Sequence, residues 1–488
     1  MSPTTEVSWA HNVLDLLVRG GRVVTPEVVA DLDLGVQNEK IVWLGLPQAE
    51  APEAARVVEA QGRLVVPGGI EPHAHLAHYI SMRTESEMYT LGPEEDTVGM
   101  AFGGVTTHLD FCQVYPGTTA QQALEQRMAR WKDQSLIDYA FHVNFMGATP
   151  IDAFDQVPEL VESGFASFKV FTCNVLPPVP PRRSYKMDFG RIGHLMAKVA
   201  AAGGILVVHG EDDDLVQFNY ELFSHAGRTH GSNLHLVHSK LSEHLSFTRT
   251  LQLARATGAG VYFVHTSAAE GVEVIGEARS RGQPVYGETL HQYLCHTADE
   301  YAQPGGFLHH TYPSVKLQSD QDALWRALLV GGLSTVGTDE FPTSRDVKLM
   351  GSTIEDVTGG NLGAEARMGI VYTEGVSKRG MSLQRYVDVT STNAARILGL
   401  YPRKGVIQVG SDADLTLLDT SLHRKLTASD FHVADYSPWE GWEITAWPST
   451  TILRGQVIVD NGRLLARPGT GQWLPRKIEP EVLQHPVV

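Results

Sequence analysis

Leu64-Val65-Val66-Pro67-Gly68-Gly69-Ile70-Glu71-Pro72-His73-Ala74-His75 is a short apolar run that ends in two histidines one residue apart. Four later runs end in the same manner. FASFKVFT (165–172) carries Lys169, GILVVHG (204–210) carries His209, GVYFVHT (260–266) carries His265, and LSTVGTD (333–339) ends on Asp339. Apolar runs that each finish on a polar residue read as barrel strands delivering ligands to one rim. Residues i and i+2 of a strand share a face, so His73 and His75 can hold one ion together.

Working outward, the stretches between these runs carry apolar residues at helical spacing: TAQQALEQRMARWKDQ (119–134), RIGHLMAKVAAAG (191–203), HLSFTRTLQLARATG (244–258), AAEGVEVIGEARSRG (268–282) and QDALWRALLVGG (321–332). Strand and helix alternate in this way from about residue 70 to 398, which predicts an α/β chain with a (β/α)8 TIM-like barrel over 67–398. Before the barrel, LDLLVRGGRVVTP, DLDLGVQNEKIVWLG and ARVVEAQGRLVVPG alternate apolar and polar residues between Gly, Asn and Asp turns. That texture returns in GVIQVGSDADLTLLDTS and TTILRGQVIVDNGRLLA. Residues 1–66 and 399–466 are therefore expected to join in a small β-sandwich built from both ends of the chain, and 467–488 is a Pro-containing tail.

Composition narrows the class of function. The chain has 488 residues, 19% charged and 42% hydrophobic, as a packed globular enzyme requires. A net charge of -17 argues against nucleic acid or an anionic membrane as partner. Cys112, Cys173 and Cys295 form no disulfide framework, which points to the cytoplasm. The first residues lack the basic and apolar regions of a leader, and no run reaches the length of a membrane span.

Four histidines, a lysine and an aspartate at strand ends describe a hydrolytic metal site. A divalent ion lowers the pKa of its water and polarises a carbonyl, and neutral imidazoles suit zinc. Lys169 has Phe165, Phe168, Val170 and Phe171 as neighbours, so a bare ammonium is costly to bury there. Carbamylated by carbon dioxide, it becomes an anion that can bridge two ions; the alternative is a lysine snorkelling to solvent. For Asp339 the alternative is a helix cap or loop residue. The segment 223–244 holds His225, His230, His235, His238 and His244 at spacings that fit no tight ligand set, and reads as a polar loop and helix.

GGIEPHAHL, AFGGVTTHLDFC, SFKVFT, VVHGEDDDLV, VHTSAAEGVEVI, GETLHQYL, VGTDEFP and VTSTNAARILGLYPRKGVIQVGSDADLTLLD together resemble the amidohydrolase superfamily, and within it the dihydropyrimidinase/hydantoinase cyclic amidases. The resemblance covers nearly the whole chain. It implies two divalent ions, zinc by default with manganese or cobalt as alternatives. His73, His75, carbamylated Lys169 and Asp339 would hold the more buried one; Lys169, His209 and His265 would hold the other. Asp339 would also act as general base, taking the proton of a bridging hydroxide and passing it to the leaving nitrogen. The implied activity is opening of a cyclic amide or ureide ring of dihydropyrimidine or hydantoin type, in a homotetramer. Alternatives are an acyclic amide, a carbamate, another ureide such as allantoin, or a scaffold without catalysis.

The chain departs from that group where substrate is read. The group carries a tyrosine five residues after the bridging lysine, and this chain has Asn174. The group's Asp-His pair is Asp339-Glu340, and its Ser-Pro-Pro-Leu-Arg segment is Tyr312-Pro313-Ser314-Val315-Lys316. Asn174 could donate to a developing oxyanion. Tyr185, beyond the stiff Pro177–Arg183 loop, could fold back to replace the tyrosine. His291 and Asn361 are further substrate candidates, with packing or a helix cap as the alternative for His291. Glu288 could orient ligands or serve only as a buried structural carboxylate.

Overall fold

The structure, a computed structural model, describes residues 13–47, 51–80, 87–179, 182–433 and 435–488. The N-terminal dozen residues and Pro180 and Pro181 of the proline loop lie outside them. Eight parallel strands follow the chain around one sheet: β1 (Gly69–Ala74), β2 (Val105–Val114), β3 (Asp138–Phe145), β4 (Ser167–Phe171), β5 (Ile205–His209), β6 (Gly260–Phe263), β7 (Val285–Leu290) and β8 (Thr335–Gly337). Each pairs in parallel with its neighbour in sequence. Both faces are covered, so β5, for example, is buried along its whole length. The seam between β8 and β1 closes at one residue. The Glu340 N–H donates to His73 O at 2.9 Å, and its carbonyl accepts from His75 N–H at 2.7 Å. Closure therefore falls at the HxH motif itself.

The intervening helices start and stop where local chemistry directs. Asp188 caps Phe189–Ala202 and Ser239 caps Lys240–Thr257, each side chain accepting an N–H of the first turn. Gly203 and Gly258 end the same helices at φ 80° and 71°, the left-handed region that glycine enters without strain. The expected barrel and the β domain drawn from both ends are what the chain forms. A nine-stranded mixed sheet combines strands from 16–67 with strands from 415–464. It holds its own core of Leu16, Val18, Leu34, Val36, Ile41, Val65, Leu415, Leu417 and Ile452.

Two features had no sequence-based expectation. The tail runs beneath the barrel: Leu474, Ile478 and Val482 pack on Ile70, Leu109, Ile205 and Tyr262, and the Leu474 N–H donates to Tyr139 O at 2.8 Å. Its Arg476, 3% exposed, donates to Leu398 O and Ser167 Oγ. A buried cluster also sets the Lys404 Nζ 2.7, 3.0 and 2.6 Å from carboxylate oxygens of Asp138, Asp412 and Asp414, tying the two domains together. No helix of the described residues is long and apolar enough to cross a membrane.

Candidate metal centre

The strand ends converge as their sequence positions require. His73, His75, Lys169, His209, His265 and Asp339 line one cavity of about 100 Å³ at the C-terminal rim of the barrel. The Nε2 atoms of His73 and His75 are 3.2 Å apart, and each lies 3.0 or 3.2 Å from Asp339 Oδ1. Across the cavity, His209 Nδ1 is 2.9 Å from His265 Nε2. Facing imidazole nitrogens at such distances put lone pairs in conflict unless a proton or a cation sits between them. Lys169 is fully buried, and its Nζ lacks a hydrogen-bond partner among the described residues, with the Phe111 and Phe171 rings 5.0 and 4.9 Å away. It does not snorkel. Facing nitrogens, a buried carboxylate and an orphan amine are a donor set that fits divalent cations.

Electrostatics agrees. Burial drives His75 down to about 3 and holds His209 and His265 below their ordinary values, so all three are neutral and able to ligate. Burial works to raise the Asp339 carboxyl, but His73 and His75 outweigh it and keep it ionised. Burial also disfavours a charged His73, yet Asp339 and Glu288 lift it to about 9. The spot between His73 and Asp339 thus favours a positive charge. Backbone strain marks the same residues: His265 and Asp339 sit at φ 41° and 53°, where non-glycine residues rarely stay unless the surroundings hold them.

Outer carboxylates aim the ligands. Glu288 accepts from His73 Nδ1 at 2.8 Å, from the His265 backbone N–H at 3.1 Å and from the Tyr262 hydroxyl at 2.8 Å. The orienting role raised for it is the one the geometry supports. Glu211 does the same for His209, whose Nε2 is 3.0 Å away, and Glu211 is itself held by His238 Nδ1 at 3.0 Å. Sequence reading missed Glu211, although it lies two residues after His209 and shares its face. It also missed His238, the one member of the histidine tract that reaches the site's surroundings; His230 and His235 make local contacts with Ser232. Replacing Glu288 by glutamine should weaken metal affinity about 10- to 100-fold. Competitive chelator titration checks this, and unchanged affinity would reduce Glu288 to a packing role.

The substrate candidates divide sharply. Tyr185 does reach the cavity. Asn174 does not: its Oδ1 accepts from Ser184 Oγ and from the backbone N–H groups of Tyr185 and Lys186 at 3.1, 2.8 and 3.2 Å. It is a clasp that folds the loop back and sets Tyr185 in place. Asn361, expected in a segment that meets substrate through its backbone, does not itself line the cavity: its Nδ2 donates to Thr338 O at 2.8 Å and its carbonyl accepts from Phe341 N–H at 2.7 Å, while the neighbouring Gly359 and Gly360 do line it. His291 packs 4.7 Å from the Trp439 ring, outside the cavity. Glu340 accepts from Gly363 and Ala364 N–H and does not line the cavity. Tyr312, first residue of the altered segment that the sequence singled out, lines the cavity; Thr311 and Tyr79 are lining residues that sequence reading overlooked, and the Thr311 hydroxyl donates to Asp339 Oδ2 at 3.2 Å.

Comparison with known proteins closes the question of kinship. The amidohydrolase family model matches residues 64–458, a span that includes every ligand named above. The chain belongs to the amidohydrolase family. It is 32% identical over 466 residues to the D-hydantoinase of Geobacillus stearothermophilus, covering 94% of this chain and 96% of that one. A crystal structure of a D-hydantoinase superposes with a TM-score of 0.88 at 31% identity, over 94% of this chain and 98% of that chain. The dihydropyrimidinase of Brevibacillus agri NCHU1002 superposes with a TM-score of 0.88 at 29% identity, over 94% and 98% of the two chains. Divalent metal use by this amidohydrolase follows from the family and from the geometry of its ligands.

Proposed function

We propose that this amidohydrolase opens a cyclic amide or ureide ring of hydantoin or dihydropyrimidine type. The observation that carries the reading is the converged set of four histidines, Lys169 and Asp339 in one cavity, within a chain similar along its length to hydantoinases and a dihydropyrimidinase. His73, His75, Lys169 and Asp339 would hold one divalent ion, and Lys169, His209 and His265 the other, with Lys169 as a carbamate. Such ions, taken as zinc, supply carbonyl polarisation and a lowered pKa for water. The chain does the rest. Asp339 accepts the proton of the attacking water and delivers it to the ring nitrogen as the C–N bond breaks, leaving a carboxylate on an open-chain product.

The catalytic cavity continues outward. An outer cavity of about 480 Å³ shares His78, Tyr79, Gln113 and Tyr185 with it and leads out between Tyr89, Tyr115, Arg182 and Arg183. A ring substituent therefore has somewhere to go. The same reading takes residues 67–398 as the catalytic barrel, a homotetramer as the working assembly and the cytoplasm as its setting.

Purified protein supplied with zinc should open hydantoin and dihydrouracil, and a chelator should abolish the turnover. Absence of turnover in a fully metal-loaded protein would move the assignment to an acyclic amide or carbamate. Tyr185→Phe separates contact from shape, since the ring remains and only the hydroxyl goes. We expect a loss of about 100- to 1000-fold, the range of one lost transition-state hydrogen bond. Asn174→Ala should lower activity through disorder of the same loop, so a loss confined to Asn174→Ala would make Tyr185 a wall and not a donor.

A further inference from the structure

Beyond the catalytic cavity, a second convergence of metal-ligating side chains lies on the 291–317 connection that follows β7. His296 Nδ1 is 2.8 Å from Glu300 Oε2, and His309 Nε2 is 3.1 Å from the same oxygen. The two imidazole rings are 4.1 Å apart, and the ligand atoms of all three residues lie within 4.8 Å of one another. None of the three lines the catalytic cavity. We propose that His296, Glu300 and His309 form a further divalent-cation site, separate from the catalytic pair, that braces this connection.

The argument rests on how the three groups are held. His296 is 4% exposed, and its outer nitrogen Nε2 has no hydrogen-bond partner among the described residues; nor has His309 Nδ1. Both rings are thus anchored only through the corner they share with Glu300. Buried ring nitrogens are ordinarily bonded on both sides, so a hydrogen-bonded triad alone leaves two of them wasted. A cation at the shared corner takes a lone pair from each ring and moves each ring proton outward. The His296 ring packs beside the Trp439 and Trp442 rings, with centroids 4.9 and 5.3 Å away, aromatic surroundings that tolerate an N–H better than a bare lone pair. Metal bonds of about 2.0–2.2 Å place tetrahedral ligands roughly 3.3–3.6 Å apart, so the 2.8 and 3.1 Å pairs need to open by only a few tenths of an ångström to admit the ion.

Two imidazoles and one carboxylate select a borderline ion such as zinc over magnesium or calcium. Access is also provided: the His309 and Glu300 side chains are 17% and 31% exposed, leaving a solvent side for entry and for a water as fourth ligand. The brace matters because the same connection continues to Thr311 and Tyr312, which wall the catalytic cavity.

The test is zinc content after chelator stripping, reloading and dialysis, measured by atomic emission. The wild type should saturate at about three ions per chain, and His309→Gln and Glu300→Gln at about two, given two in the catalytic cavity. That baseline rests on the proposed function, but the difference of one ion between wild type and variants does not. Lys169→Ala should lower the catalytic count while leaving the His309-dependent ion in place, so the two readings fail separately. Equal zinc content in wild type and both variants overturns the site.

Discussion

Lys169→Ala should lower kcat/KM for ring opening by at least about three orders of magnitude, roughly 4 kcal/mol of barrier, while leaving a folded barrel. Both halves follow from the side chain's surroundings. It is fully buried, faces two phenyl rings and has no hydrogen-bond partner among the described residues, so the fold gains little from it. Burial pushes its amine down to about 7, against the opposing pull of Asp339 and Glu288. A neutral amine is the form that adds to carbon dioxide, releasing a proton and leaving a carbamate anion. Metal reconstitution of the apoprotein should therefore be promoted by bicarbonate, with the effect rising as pH passes through about 7. The linkage has a definite sign: between about 7 and the ordinary lysine value of 10.5 the unfolded chain binds more protons than the folded one. Stability of the metal-free protein should climb with pH across that window, and Lys169→Ala should flatten the climb. A variant that keeps wild-type turnover at matched metal content would defeat the bridging role.

Asp339→Asn should be nearly as damaging, by at least about 10³-fold in kcat, because one residue is both ligand and base. The amide is nearly isosteric and can still accept from Thr311, so the loss reports charge and basicity and not shape. Bicarbonate dependence of metal loading should persist in this variant and vanish in Lys169→Ala, which separates the two roles in one experiment. Retention of more than about a tenth of wild-type kcat, an effect smaller than general base catalysis supplies, would assign the proton transfer elsewhere.

The fold and the convergence of the six polar residues on one cavity were legible because their signals are local. A strand that ends on histidine announces itself over five residues: β5 ends on His209 and β6 stops two residues before His265, while β4 carries Lys169 at its centre. What escaped was fixed by contacts distant in sequence. Asn174 occupies the position of a substrate-binding residue, yet the turn at Ser184–Lys186 captures its side chain. Asn361 and Glu340 are likewise consumed by backbone N–H and carbonyl groups of neighbouring loops. Glu211 had a local signal, the i+2 spacing from His209, that was within reach. Thr311 had none, since its approach to Asp339 depends on how the 291–317 connection folds over the rim.

The tail beneath the barrel has a temporal consequence. Gln472 donates its N–H to Asp138 at 2.8 Å, across 334 residues of chain. A ribosome adding about 5–20 residues per second leaves β3 waiting tens of seconds for the segment that seals its lower end. Until it arrives, Leu109, and Ile205 and Tyr262 once they are made, lack part of their cover.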